Sequence, residues 1–79
     1  METIKGSYTR RVGGATFDYE IDYTPGPEVE WLARVWQDGQ EKGEPRGSLT
    51  DNELEGASLR GYLVSYVEGM IERGLDVAE

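Results

Sequence analysis

Residues 4–23 alternate between apolar and polar positions almost without a break. Ile4, Gly6, Tyr8 and Val12 fall on even numbers, and Ala15, Phe17, Tyr19, Ile21 and Tyr23 on odd ones, either side of Gly13-Gly14. A period of two is the mark of a half-buried β-strand, and Gly-Gly suits a two-residue hairpin loop that needs positive φ. Folding at that dipeptide sets Val12 against Ala15, Arg10 against Phe17, Tyr8 against Tyr19, Gly6 against Ile21 and Ile4 against Tyr23 on one face. The other face pairs Arg11 with Thr16, Thr9 with Asp18, Ser7 with Glu20 and Lys5 with Asp22. The strands run over about residues 3–12 and 15–23. Arg10 breaks the apolar face, and its guanidinium can lie on the Phe17 ring.

Thr24-Pro25-Gly26-Pro27-Glu28 reads as a turn, since Pro presets φ and Gly supplies the permissive position. The next segment, residues 28–37, carries two patterns. Val29, Leu32, Ala33 and Trp36 have helical spacing, whereas Val29, Trp31, Ala33 and Val35 alternate. The richness in β-branched and aromatic residues favours a strand over 29–37. A five-residue loop also brings that strand into register with the one before it: Val29 against Tyr23, Trp31 against Ile21, Ala33 against Tyr19 and Val35 against Phe17. Arg34 then lies opposite Asp18 on the outer face.

Asp38-Gly39 is a second hairpin dipeptide, and a short edge strand over 40–46 can follow it, with Pro45 tolerated only at an edge. The rest of 37–50 reads as mobile loop. Thr50-Asp51-Asn52-Glu53 has the form of a capping box, a hydroxyl followed three residues later by Glu. It predicts a helix over 51–73 ended by Gly74, with Arg73 complementing the C-terminal dipole. Its core stripe is Leu59, Tyr62, Leu63, Tyr66, Val67 and Met70, widened by Ala57, Val64 and Ile71. Gly56, Gly61 and Gly69 within it suggest close approach of a sheet or another helix. Residues 75–79 are expected to fray. The elements make a single α+β domain: an antiparallel sheet of three or four strands under one long C-terminal helix.

Composition removes whole classes of function. The chain has 79 residues with no His and no Cys. That excludes disulfides, thiolate chemistry, an ordinary zinc site and any triad that needs imidazole. No apolar stretch is long enough to span a bilayer, there is no signal-peptide pattern, and a cytoplasmic location is expected. Sixteen acidic residues against eight basic ones leave a net charge of −8. The excess sits in residues 13–55, whereas in residues 1–12 Lys5, Arg10 and Arg11 outnumber Glu2. Such a chain is repelled by phosphate backbones, so no direct nucleic-acid binding is expected, and a basic protein partner suits it better.

Few residues could carry chemistry. Asp18, Glu20 and Asp22 project from one face about 7 Å apart, but an extended row does not converge as a hard cation requires. Lys5, Thr9 and Arg34 account for these carboxylates as a solvated face, and no cofactor or metal is implied. The five tyrosines fall at core-facing positions with their hydroxyls at the rim. The serines have no imidazole beside them and no nucleophile elbow around them. Leu32 and Trp36 are more informative: in the strand register they point to the outer face among acidic neighbours, the mark of an interface. With Arg34, Asp18 and Glu20 they form the candidate interaction site. The expected function is that of a small non-enzymatic interaction module, homodimeric or bound to a basic protein, through this face or a free sheet edge, with a carboxylate- and metal-dependent enzyme at Asp18, Glu20 and Asp22 as the less favoured alternative.

The order of parts also resembles the HicB-type antitoxin domain over roughly residues 4–73. Three antiparallel strands precede a loop, Arg46-Gly47-Ser48-Leu49-Thr50-Asp51-Asn52-Glu53, and one helix. The resemblance implies a partial ribonuclease-H-like fold and neutralisation of a small basic toxin that cleaves mRNA. The Pro-Asp-Leu-Pro-Gly segment of that family is replaced by Trp36-Gln37-Asp38-Gly39-Gln40. No functional residue transfers.

Overall fold

A computed structural model describes residues 1–74 and Val77. Its elements are β1 (Glu2–Thr9), β2 (Thr16–Tyr23), β3 (Val29–Gln37), β4 (Gln40–Gly43), β5 (Arg46–Leu49) and α1 (Gly56–Arg73). The sheet is antiparallel in the order β1-β2-β3-β4, with β5 also on β3. The helix covers one face, and the architecture is the expected α+β design. Segment 29–37 is a strand. Its odd residues Val29, Trp31, Ala33 and Val35 are buried with Ile4, Phe17, Tyr19, Ile21 and Tyr23 from the same side of the sheet.

Every strand residue faces the side that alternation assigns to it, but the pairing is shifted. β1 and β2 align Ile4 with Ile21, Gly6 with Tyr19 and Tyr8 with Phe17. Each pair is two residues away from the expected one, and a shift of two preserves the faces. The hairpin closes at Arg10 and Ala15, where the Arg10 N–H donates to the Ala15 carbonyl at 2.8 Å. Its loop therefore holds Arg11, Val12, Gly13 and Gly14, the glycines at φ 87° and 74°. Val12 is not in the core, as its expected pairing required, but 80% exposed. The cause lies at the far end of the chain. Glu72 of α1 accepts the Arg11 N–H at 2.8 Å, and the Val12 N–H lies 3.5 Å from its other oxygen. The Arg10 Nε donates to the Ile71 carbonyl at 2.8 Å, and its guanidinium sits 4.7 Å above the Phe17 ring as expected.

The β2–β3 register also moves by two, so that Ile21 meets Ala33 and Glu20, not Asp18, meets Arg34. The connecting loop keeps five residues but closes one position later on each strand, with the Thr24 N–H on the Glu30 carbonyl at 3.3 Å. Asn52 bridges that loop: its N–H donates to the Pro27 carbonyl and its Nδ2 to the Gly26 carbonyl.

Asp38 and Gly39, at φ 52° and 80°, form the hairpin turn as the dipeptide predicts. The segment after it is more ordered than a mobile loop. It returns along β3 as β4 and then β5, with a bulge opposite Val35 and Trp36 and a break at Glu44-Pro45. Pro45 is fully buried on the inner side, and its carbonyl accepts the Ala33 N–H at 2.8 Å.

The helix begins five residues later than the capping box predicts. Asn52 uses its side chain on Gly26 and on its own turn, donating to the Leu54 carbonyl and accepting the Leu54 N–H at 2.9 Å. Glu55, at the N-cap, makes no side-chain cap hydrogen bond. The C-terminus is as expected: Gly74 is left-handed at φ 68° and its N–H closes on the Ile71 and Met70 carbonyls. The buried stripe is Leu59, Leu63, Val67, Met70 and Ile71. Tyr62 and Tyr66, expected in that stripe, are 39% and 48% exposed. The fraying expected of 75–79 falls outside the described residues, apart from Val77, which is buried in the core. No helix among the described residues is long and apolar enough to cross a membrane.

Candidate functional site

Because α1 lies on the inner face, the even-numbered side chains of β2 and β3 stand on a face that no described element covers. Asp18, Glu20, Leu32, Arg34 and Trp36 all lie there, together with Asp22. The observed register sets Trp36 beside Asp18, Arg34 beside Glu20, and Leu32 beside Asp22. Lys5 flanks Glu20 from the other side. Leu32 and Trp36 are half-buried rather than fully exposed, because long polar neighbours wall them in.

Of the row of carboxylates, Asp22 is engaged by both neighbouring strands. The Thr3 hydroxyl donates to Asp22 Oδ1 at 2.7 Å, and Arg34 Nη1 is 3.7 Å from the other oxygen of Asp22. Among the described residues no three acidic groups converge as metal ligands. Glu41, opposite Trp36 on β4, has its carboxyl pushed above the usual range. A hydrogen bond with Glu44 is the main cause, burial and the Glu44 charge add to it, and Arg34 opposes it.

A groove of about 620 Å³ opens beside Leu32, lined by Asp22, Arg34, Arg46, Ser48 and Met1 among others. Arg46 and Ser48 were outside the expected site because residues 37–50 read as loop. Pairing of Arg46 with Leu32 and of Ser48 with Glu30 brings both to the outer face. The alternation Pro45, Arg46, Gly47, Ser48, Leu49 carries this placement, but two small residues and a proline mute it.

Two tyrosine hydroxyls find carboxylates on the helix. Tyr8 donates to Glu72 at 2.6 Å and Tyr19 to Glu68 at 2.8 Å. Both phenols are pushed up, Tyr8 chiefly by the hydrogen bond to Glu72 and Tyr19 chiefly by burial. Glu72 is pushed down, first by the Arg11 N–H and then by Tyr8. The protons therefore stay on the phenols, and these pairs act as latches between sheet and helix.

The Glu72 latch has a pH signature. Its folded pKa lies below the ordinary 4.5, so its contribution is complete above that value and disappears as pH falls through the folded pKa. Urea unfolding of wild type and Glu72→Gln between neutral pH and pH 3 measures it. The wild type is expected to be the more stable at neutral pH, with the difference shrinking below about 4.5. A difference that stays constant across that range would mean that the carboxylate does not hold the loop.

Comparison with family models, curated proteins and solved structures finds no match.

Proposed function

We propose that this chain is a small, acidic, non-enzymatic interaction module that offers the outer face of its sheet to a protein partner. The observation that supports this most is the position of Leu32 and Trp36. They are two large apolar residues, half-buried, in the middle of a charged face with no described element over it. A tryptophan ringed by polar groups is the usual form of an interface hot spot. The adjacent groove, with Arg34 and Arg46 against Asp22, adds polar groups of both signs for orientation.

The test compares bait proteins. Wild type, Trp36→Ala and Tyr62→Ala are immobilised, and the proteins retained from the native lysate are quantified by mass spectrometry. A partner of this face is expected to be retained by wild type and Tyr62→Ala and lost with Trp36→Ala. Truncating a hot-spot tryptophan typically costs about 2 kcal/mol or more, roughly thirty-fold in affinity. If wild type enriches nothing over Trp36→Ala, this reading fails.

A narrower reading makes the partner a small basic protein, as in the HicB-type resemblance. The row Asp18, Glu20 and Asp22 beside Trp36 favours a cationic surface. In this version the neighbouring reading frame encodes a short basic protein that co-purifies with the chain, and failure to recover one removes it.

A further inference from the structure

The two borders of the sheet differ in kind. The β4–β5 border is cut by a bulge and by Pro45, and it carries Glu41 and Glu44. Those are the devices by which proteins blunt an edge against pairing. The other border is β1, eight residues with no proline, bulge or break, and no described strand lies along its outer side. The Arg10 N–H is directed at Ala15 on the β2 side. In an antiparallel ladder the even residues of β1 therefore pair with β2, and Thr3, Lys5, Ser7 and Thr9 turn their N–H and C=O groups outward.

The helix above this border is equally unfinished. Glu68 and Glu72 reach Tyr19 and Tyr8, whereas Tyr66 meets Trp31 of β3. One flank of α1 thus looks towards β1 and the opposite flank towards β3. At about 100° per residue, Ala57, Gly61 and Val64 share the β1 flank with Glu68. Glycine inside a helix is destabilising, and a Cβ at Gly61 would meet nothing within 4 Å. No described residue calls for that glycine, whereas a neighbouring helix would.

We propose that β1 is the pairing edge for a second copy of this chain. The two strands run antiparallel about a two-fold axis at Gly6, and the small-residue flanks of the two helices lie side by side above the joint. Inner-face residues must oppose inner-face residues, which restricts the register to axes that pass through a residue. An axis at Lys5 sets two lysines opposite each other. The axis at Gly6 sets Ile4 against Tyr8, Lys5 against Ser7 and Thr3 against Thr9, with no like charges opposed. Charge also selects this border. Two copies at −8 repel, and β1 with its loop is the stretch where Lys5, Arg10 and Arg11 outnumber the acids. At this axis Glu2 of each copy runs towards Arg10 and Arg11 of the other.

Sedimentation velocity over a concentration series, up to the millimolar range, tests the proposal. Wild type is expected at twice the chain mass of 8.8 kDa. Ser7→Lys sets a lysine against Lys5 of the other copy, twice by symmetry, and is expected to weaken dimerisation at least about tenfold. Within one copy the same lysine faces Asp18, so the fold is kept. Ser7→Pro removes the outward N–H and Gly61→Glu fills the helix flank; both are expected to shift the population to monomer. Trp36→Ala is expected to leave the dimer intact, which separates this joint from the outer face. A wild type that stays monomeric at millimolar concentration overturns the proposal. So does a dimer that Ser7→Lys and Ser7→Pro leave unchanged, or one that Trp36→Ala dissolves.

Discussion

Phe17→Ala is expected to remove most of the stability of this chain. Phe17 is 1% exposed, in the second of the sheet's strands and on the face that meets the helix. Deleting a buried phenylalanine typically costs about 3–5 kcal/mol, through lost transfer energy and the cavity left behind. A domain of this length has only about 4–12 kcal/mol in total. The ring also carries the Arg10 guanidinium at 4.7 Å, and Arg10 holds the Ile71 carbonyl at the end of the helix. The substitution therefore loosens the contact between hairpin loop and helix terminus as well as the core. Urea unfolding followed by circular dichroism measures it. At a slope of about 1 kcal/mol/M the midpoint should fall by roughly 3 M or more, or the variant should be unfolded in water. A shift under about 1 M would contradict the placement of this ring.

Gly47→Ala is expected to cost about 1–3 kcal/mol, a large effect for one added methyl group. The Trp31 ring lies flat across Gly47, its direct cross-strand neighbour, and an added Cβ would stand 2.8 Å from Cζ2 and 3.0 Å from Cε2. Trp31 has little room to yield, because Tyr66 packs edge-on against it with ring centroids 5.5 Å apart. The φ of Gly47 is not in the left-handed region, so the whole cost comes from space and none from backbone strain. The near-ultraviolet circular dichroism of tryptophan should change together with the melting temperature. An unchanged spectrum with unchanged stability would show that the ring is not seated there. Gly6 and Tyr19 repeat the arrangement on β1 and β2, so each border of the sheet has a glycine roofed by an aromatic ring from the adjoining strand.

Which side of the sheet each residue faces was legible, because alternation survives a slide of two residues. That is why Leu32, Trp36, Arg34, Asp18 and Glu20 share one face although their partners differ from those that loop length implied. The register was not legible, because the contacts that set it are remote. Arg11 and Val12 leave the hairpin to meet Glu72, and the Gly26 and Pro27 carbonyls are taken by Asn52. The same use of Asn52 defeats the capping-box reading, since a residue engaged with the turn at 26–27 cannot belong to a first helical turn. Tyr62 and Tyr66 have the spacing of core residues, yet they stack on each other at 6.2 Å along the β3 flank. Leu59, Leu63, Val67, Met70 and Ile71 already fill the contact with the sheet. The outer face was legible as a patch, but its groove was not, because Arg46 and Ser48 join it only through β5 pairing.

The latch between hairpin and helix joins residues made far apart in time. Arg10 and Ile71 are 61 positions apart, and Tyr8 and Glu72 are 64 apart. As the chain leaves the ribosome, β1, β2 and β3 emerge first, with the apolar inner face of the sheet uncovered. Leu59, Leu63 and Val67 arrive later, and Ile71 and Glu72, which hold the first hairpin loop, arrive later still. Until the helix has been made, the inner face of the sheet has no cover, and its first hairpin loop has nothing to fasten it. A stop codon that removes only residues after Met70 would keep every strand and most of the helix, and still lose the residues that fasten the first turn in place.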